Sequence, residues 1–218
     1  MKLHFDSNQE YQWDAIKSIT DIFEGQPLSS GDFEFTTMNV GALLSENGFG
    51  NNLTLSAEQI LENVKTIQQR NEIKNTVEEL DGMNFSIEME TGTGKTYVYL
   101  RTVYELNKLY GFKKFVIVVP SVAIREGVLK NLQITHEHFQ NLYDKTAITF
   151  DVYDSKKVSN LRGFSSGNAI QVLVINIDSF AKDENIINKP NDKLTGKKPI
   201  EFIPVSYTHL TLPTNREV

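Results

Sequence analysis

One short stretch of the chain restricts its fold more than any other. Residues 85–89 are predicted to form a short strand, and residues 95–110 a helix. The turn between them contains Gly92 and Gly94 and runs directly into Lys95 and Thr96. Glycine lets a backbone turn sharply and approach an anion with no Cβ in the way. The helix then directs its free N–H groups and the positive end of its dipole at the same point.

These residue types suit the phosphates of a nucleotide. Successive backbone N–H groups form an anion-binding nest, and Lys95 adds a point charge for the β- and γ-phosphates. The Thr96 hydroxyl is a ligand for Mg²⁺. The general pattern has glycine where this chain has Met89, and a glycine-rich turn that binds nothing is the alternative. We predict ATP and Mg²⁺ as cofactors, with a phosphate-binding loop made of Gly92, Thr93, Gly94, Lys95 and Thr96.

Further strands and helices alternate after the turn. The run at 115–119 is apolar and β-branched, as in a strand buried on both faces, and Pro120 ends it. Such alternation is typical of an α/β fold with a mostly parallel sheet and right-handed crossovers. The remaining predicted elements are a helix at 121–132, a separate helical turn at 136–144 and strands at 147–153 and 171–176.

The N-terminal part is predicted to be helical with a long insert. A helix capped by Asp6 or Ser7 runs to about residue 24, and residues 26–55 read as a loop with one short strand at 33–38. Ser56 opens a second helix, with Gln59 completing a capping box. We therefore divide the chain into an N-terminal segment (1–83), a partial ATP-binding domain (84–204) and a tail (205–218).

The composition and charge of the chain argue against some classes of function. The 218 residues carry a formal net charge of -6, which counts against a compact autonomous DNA-binding module but not against a motor with local DNA contacts. Cysteine is absent, so disulfides and thiolate metal sites are excluded. No apolar run approaches the roughly 20 residues of a membrane span, and a cytoplasmic protein is expected.

Three segments resemble one family. They are Met89–Thr96, residues 115–121 with residues 123–127, and residues 174–180. The chain resembles the N-terminal motor domain of superfamily 2 helicases. More closely, it is similar to the restriction (Res) subunit of type III restriction-modification enzymes.

The resemblance implies a three-layer P-loop (RecA-like) domain with helices on both faces of the sheet. It implies that Gln12 reads the adenine base, with Tyr11 beside it; the alternative is that Gln12 is simply an exposed residue of an amphipathic helix. It also implies that Pro120, Ser121 and Arg125 lie along the DNA backbone. The partners it implies are double-stranded DNA and a methyltransferase (modification) subunit, with no membrane. The full-length parent would be an ATP-dependent DNA translocase coupled to cleavage.

Part of the hydrolysis machinery is missing from the pattern. The family places an Asp-Glu pair after an apolar strand, whereas Asp183 and Glu184 follow no such strand. We therefore expect no catalytic residue in this chain and weak nucleotide binding. Residues 205–214 resemble a translated sequencing adapter, so native sequence is expected to end near Pro204.

Several alternatives stay open. The parent could be a helicase or translocase without a nuclease, or the chain could be an inactive fragment; a P-loop kinase is more distant. His136 and His138 are interpreted as surface histidines rather than zinc ligands. Trp13 is interpreted as a helix-packing residue.

Overall fold

The strands of the described chain all pair in parallel. The structure is a computed structural model that describes residues 5–28, 51–166, 169–203 and 209–211. The strands are β1 (Asn84–Ser86), β2 (Lys114–Val119), β3 (Ile148–Val152), β4 (Ile170–Asn176) and β5 (His209–Thr211). Three of them form one sheet in the order β2-β4-β3, with Phe115 and Phe150 on either side of Val172.

Helices connect the strands of this sheet, as the alternating pattern predicts. Short 3₁₀ turns follow α1 and β4, and the strand predicted at 33–38 lies outside the described residues. The helices are α1 (Glu10–Thr20), α2 (Ala57–Arg70), α3 (Lys95–Tyr110), α4 (Val122–Leu142) and α5 (Asn160–Ser166).

Strand β4 is buried on both faces, which confirms the three-layer α/β fold. Val172 and Val174 face a cluster formed with α3 and α4, which we call the inner core. Leu173 and Ile175 face the opposite way, into a cluster formed with α5 and the turns after β4, the outer core. Because side chains alternate along a strand, a continuous apolar run is what a strand covered by helices on both sides requires.

Helix α4 corrects one prediction. The sequence suggested a helix to residue 132 and a separate turn at 136–144, but a single helix spans Val122–Leu142. The β-branched Thr135 does not interrupt it, because its hydroxyl donates to the Asn131 carbonyl at 2.7 Å within the helix. Leu132, Thr135 and Phe139 keep one buried face through the region.

The start of α1 also differs from expectation. Gln9 is the N-cap, and neither Asp6 nor Ser7 caps the helix. Asp6 instead accepts hydrogen bonds from the Asn8 N–H at 2.9 Å and from the Gln9 amide at 2.8 Å, closing a turn before the helix. The predicted capping box of α2 is confirmed, since Ser56 and Gln59 bond each other's backbone.

Helix α2 packs against the 3₁₀ turn that follows α1, beside the end of α3. Ile22, Ile60 and Leu106 belong to one cluster there, the N-terminal core. The Asn63 amide joins the pair, donating to the carbonyls of Ile22 at 3.0 Å and Glu24 at 2.9 Å. Phe115 of β2 packs against both this cluster and the inner core, so the two are continuous.

The predicted tail falls partly within the described chain. Strand β5 lies in it and pairs in parallel with β1. The adapter origin of residues 205–218 and the three-part division of the chain stay predictions. Within the described ranges, no helix has the length and apolar character needed to cross a membrane.

Lys114 is a buried cation at the start of β2. Its ammonium group donates to the Phe164 carbonyl at 2.6 Å and to the Gln171 side-chain oxygen, so it ties α5 to the sheet. Burial, with a smaller contribution from the charge of Lys113, lowers the pKa of Lys114 to about 8.

This pKa predicts a specific pH dependence of stability. Between pH 8 and about 10 the unfolded chain still binds a proton that folded Lys114 has lost, so the free energy of unfolding should rise with pH. Above pH 10 it should fall, because burial raises the pKa of Tyr110 to about 12 and the unfolded state then loses its proton first. Urea denaturation from pH 7 to 11 measures both limbs.

The Lys114→Met variant should lose the rise and keep the fall. Lys108→Met, at an exposed position of α3, is the matched control and should behave as the parent chain. An undiminished rise in Lys114→Met would show that another group causes it.

Candidate nucleotide-binding site

The glycine turn has the backbone that the sequence predicts. Gly92 and Gly94 have φ angles of 84° and 88°, in the left-handed region that favours glycine. Gly94 is the N-cap of α3, and its carbonyl accepts the first helical hydrogen bond, from Val98 N–H at 3.0 Å. Thr93 closes the turn, donating its hydroxyl to the Glu90 carbonyl at 2.7 Å. Helix α3 begins at Lys95, so the backbone N–H groups of its first turn have no partner within the helix. These N–H groups lie directly after the glycine turn, beside Lys95 and Thr96.

Gln12 holds this loop from outside. Its side chain is only 8% exposed, and its amide donates to the Thr93 carbonyl at 2.9 Å. A Cβ on Gly94 would lie 2.7 Å from the Gln12 amide nitrogen. A side chain at position 94 would therefore push the Gln12 amide away from the loop.

An open cleft of about 770 Å³ lies over the loop. One wall comes from the residues before and within α1, the floor from the loop and the start of α3, and the far side from α4. The lining residues are Phe5, Asp6, Gln9 and Gln12, then Thr91, Gly92, Gly94, Lys95, Thr96 and Tyr97, then Asn131 and Thr135.

Aromatic side chains close one end of the cleft. The ring of Phe5 stacks on Tyr97 with centroids 6.0 Å apart, and the Tyr97 hydroxyl lies 2.9 Å from His138 Nε2. Burial raises the pKa of Tyr97. His136 is exposed as expected, but His138 is half-buried between these rings, which corrects its interpretation as a surface residue.

Trp13 packs against α3, which confirms its interpretation as a helix-packing residue. The Arg101 guanidinium lies 3.9 Å from the centroid of its ring. Arg101 is itself buried and also contacts the chain before α1.

The residues predicted to contact DNA lie outside the cleft. Pro120 is exposed at the end of β2, and Ser121 caps α4, accepting from Ile124 N–H at 3.3 Å. Arg125 donates to the Glu126 carboxylate at 2.9 Å, so this guanidinium has an acidic neighbour. The three residues belong to one strand-to-helix junction, at the carboxyl end of β2.

The chain matches a family model over most of its length. The model describes the Res subunit of type III restriction enzymes and covers residues 7–203. The chain belongs to this Res subunit family. The match includes Gln12, the glycine loop and the β2–α4 junction.

Curated Res subunits show the same similarity. The EcoPI Res subunit of Escherichia phage P1 is 29% identical over 70% of this chain and 15% of its own length. The EcoP15I Res subunit of Escherichia coli is 31% identical over 76% of this chain and 20% of its own length. The StyLTI Res subunit of Salmonella typhimurium is 39% identical over 44% and 11%. The chain thus spans a fifth or less of the curated Res subunits that it matches.

Sequence reasoning missed several cleft residues of this Res-family chain. Asn131 and Thr135 are four residues apart on α4, which places them on one helix face. The sequence prediction ended the helix at residue 132, so this spacing was not recognised. Phe5, Asp6 and Gln9 precede the helix and reach the cleft only through the docking of α1, for which the local sequence has no pattern.

Glycine at position 94 gives a direct test of the loop geometry. Gly94→Ala should lower the free energy of unfolding by about 1–2 kcal/mol, the cost of a left-handed backbone for a residue with a Cβ. It should also displace Gln12 from the Thr93 carbonyl. Urea denaturation measures the stability.

Gly127→Ala is the matched control for this substitution. Gly127 lies within α4 with open space around its Cβ position, so alanine there should stabilise the chain by about 0.5–1 kcal/mol. Equal effects of the two alanines would contradict the predicted strain at Gly94.

Proposed function

We propose that this chain binds Mg²⁺-ATP in the cleft over the glycine loop and is the front part of an ATP-dependent DNA motor. The observation that carries the proposal is the glycine turn at the start of α3, held by Gln12 beneath a cleft of nucleotide size. Membership of the Res family supports it, because that family has a helicase-like ATPase domain.

Each residue of the loop has a distinct role in this proposal. The N–H groups that follow Gly92 and Gly94 would cradle phosphate oxygens, and Lys95 would pair with the β- and γ-phosphates. The Thr96 hydroxyl would hold Mg²⁺, which when bound neutralises phosphate charge. Thr93 keeps the turn closed through its bond to Glu90.

Gln12 would serve both the loop and the base. A side-chain amide has two N–H donors and an acceptor oxygen. The bond to Thr93 uses one donor, which leaves a donor and the acceptor for the edge of adenine. This accounts for the adenine role that the resemblance implies while explaining why Gln12 is buried.

The activity of the whole protein is likewise proposed. The parent would translocate on double-stranded DNA in the cytoplasm and cleave it together with a modification subunit. Its relatives are named as Res subunits of type III restriction-modification enzymes, which supports the restriction part of this proposal. Pro120, Ser121 and Arg125 would lie along the DNA backbone. The acidic Mg²⁺ partner and the second motor lobe would come from other parts of the parent.

Nucleotide binding is tested most directly at Lys95. Lys95→Ala should abolish Mg²⁺-ATP binding measured by calorimetric titration, because it removes the cation that pairs with the terminal phosphates. Lys108→Ala is the matched control, since it removes an exposed lysine from the other end of the same helix. Equal ATP affinity in Lys95→Ala and the parent chain would refute the site.

DNA contact is tested at Arg125 and its neighbour. Arg125→Ala should weaken binding to a DNA duplex. The negative slope of log K against log salt should become shallower by about 0.9, as for one lost phosphate contact. Glu126→Gln should strengthen binding, because it releases the guanidinium from a carboxylate 2.9 Å away. Fluorescence anisotropy over a salt series measures both, with Lys17→Ala as an exposed control on α1.

If Glu126→Gln left DNA affinity unchanged while Arg125→Ala also had no effect, the β2–α4 junction would not be the DNA surface.

A further inference from the structure

Arg101 is a buried charge in the middle of the helix that the glycine loop begins. It is only 3% exposed and lies nearly two turns after Lys95, away from the phosphate-binding groups. Burying a guanidinium costs free energy unless its N–H donors are hydrogen-bonded. Arg101 and the groups that it contacts therefore fix each other's positions.

Two of its contacts reach the chain that forms one wall of the cleft. Arg101 Nη1 donates to the Ser7 carbonyl at 2.5 Å, and the guanidinium stacks on the Trp13 ring at 3.9 Å. Ser7 and Trp13 bracket Gln9 and Gln12, both of which line the cleft. The guanidinium therefore fixes this wall segment at both ends.

The other contacts fix Arg101 itself. Its Nε donates to the Tyr143 hydroxyl at 3.1 Å, and that hydroxyl donates to the Glu105 carboxylate at 2.6 Å. All three residues of this chain of hydrogen bonds are buried. Helices α3 and α4 thus present the guanidinium to the wall in one orientation.

The wall has the chemistry of a base site rather than of a phosphate site. Phe5 offers a ring face, while Asp6, Gln9 and Gln12 offer amide and carboxylate groups, and the cation of the cleft, Lys95, lies on the floor. Aromatic faces and amides recognise purine rings and their edges. Within the wall, the Gln9 amide is already aimed by its bond to Asp6.

We propose that Arg101 is a positioning residue that holds the base-side wall, residues 5–13, against the phosphate-binding loop, so that the cleft distinguishes a nucleoside triphosphate from bare triphosphate. This inference rests on the proposed nucleotide binding. Arg101 does not line the cleft, so it would act through its contacts with Ser7 and Trp13.

The experiment compares the affinities of the chain for ATP and for inorganic tripolyphosphate. In Arg101→Met the affinity for ATP should fall about tenfold, the equivalent of one lost hydrogen bond to a charged group, while the affinity for tripolyphosphate stays unchanged. Arg101→Lys keeps the charge but not the planar stack, so it should recover part of the ATP affinity. The control is Arg70→Met, which breaks an exposed ion pair with Asp21.

Trp13 supplies a second readout that needs no nucleotide. It is the single tryptophan of the chain, so its fluorescence reports directly on the wall. Acrylamide should quench it more strongly in Arg101→Met than in the parent chain, and equally in Arg70→Met and the parent. Circular dichroism checks folding, and Arg101→Lys replaces Arg101→Met if the latter is unfolded.

The outcomes separate the two proposals. Retention of the full ATP preference in Arg101→Met overturns the positioning role, and so does an equal loss of ATP and tripolyphosphate affinity. If the parent chain binds neither ligand, the proposed nucleotide site fails. Quenching of Trp13 alone then tests whether Arg101 holds the wall in place. Unchanged quenching in Arg101→Met overturns the positioning role.

Discussion

Helix α3 is buried along most of its length, and the elements packed around it supply the partners of its charged side chains. Leu100 and Tyr104 face the inner core, while Leu106 and Tyr110 face the N-terminal core. A helix enclosed on several sides can carry charges only where partners are brought to them. The guanidinium of Arg101 and the carboxylate of Glu105 therefore fix three neighbours in place: the segment before α1, the end of α4 and the indole ring of Trp13.

The glycine loop is held on both sides by this arrangement. A loop at the mouth of a buried helix is anchored on its C-terminal side by packing, and here Gln12 anchors it on the N-terminal side through the Thr93 carbonyl. The floor and the wall of the cleft belong to different segments of the chain, and the Gln12–Thr93 hydrogen bond joins them.

Local sequence patterns predicted most of the fold because they reflect local constraints. The apolar run of β4 indicates a strand covered on both sides, and the turn at Gly94 needs a residue without a Cβ; both are readable from neighbouring residues alone. What escaped prediction depends on docking between distant segments. Gln9 and His138 acquire their surroundings only when α1 and α4 close around α3, and Lys114 looks like a surface lysine until α5 covers it.

The amide of Gln26 has a consequence for how this domain tolerates change. It donates to the Asn52 carbonyl at 3.0 Å and accepts from Thr54 N–H at 2.9 Å, so it clasps the chain on the two sides of residues 27–51. These bonds hold the chain that leaves α1 beside the chain that enters α2. The entropy of closing a loop grows only with the logarithm of its length. A change in the number of residues between Gln26 and Asn51 should therefore cost little stability, provided that Asn51 keeps its side-chain hydrogen bonds to the backbone of Lys113 and Lys114.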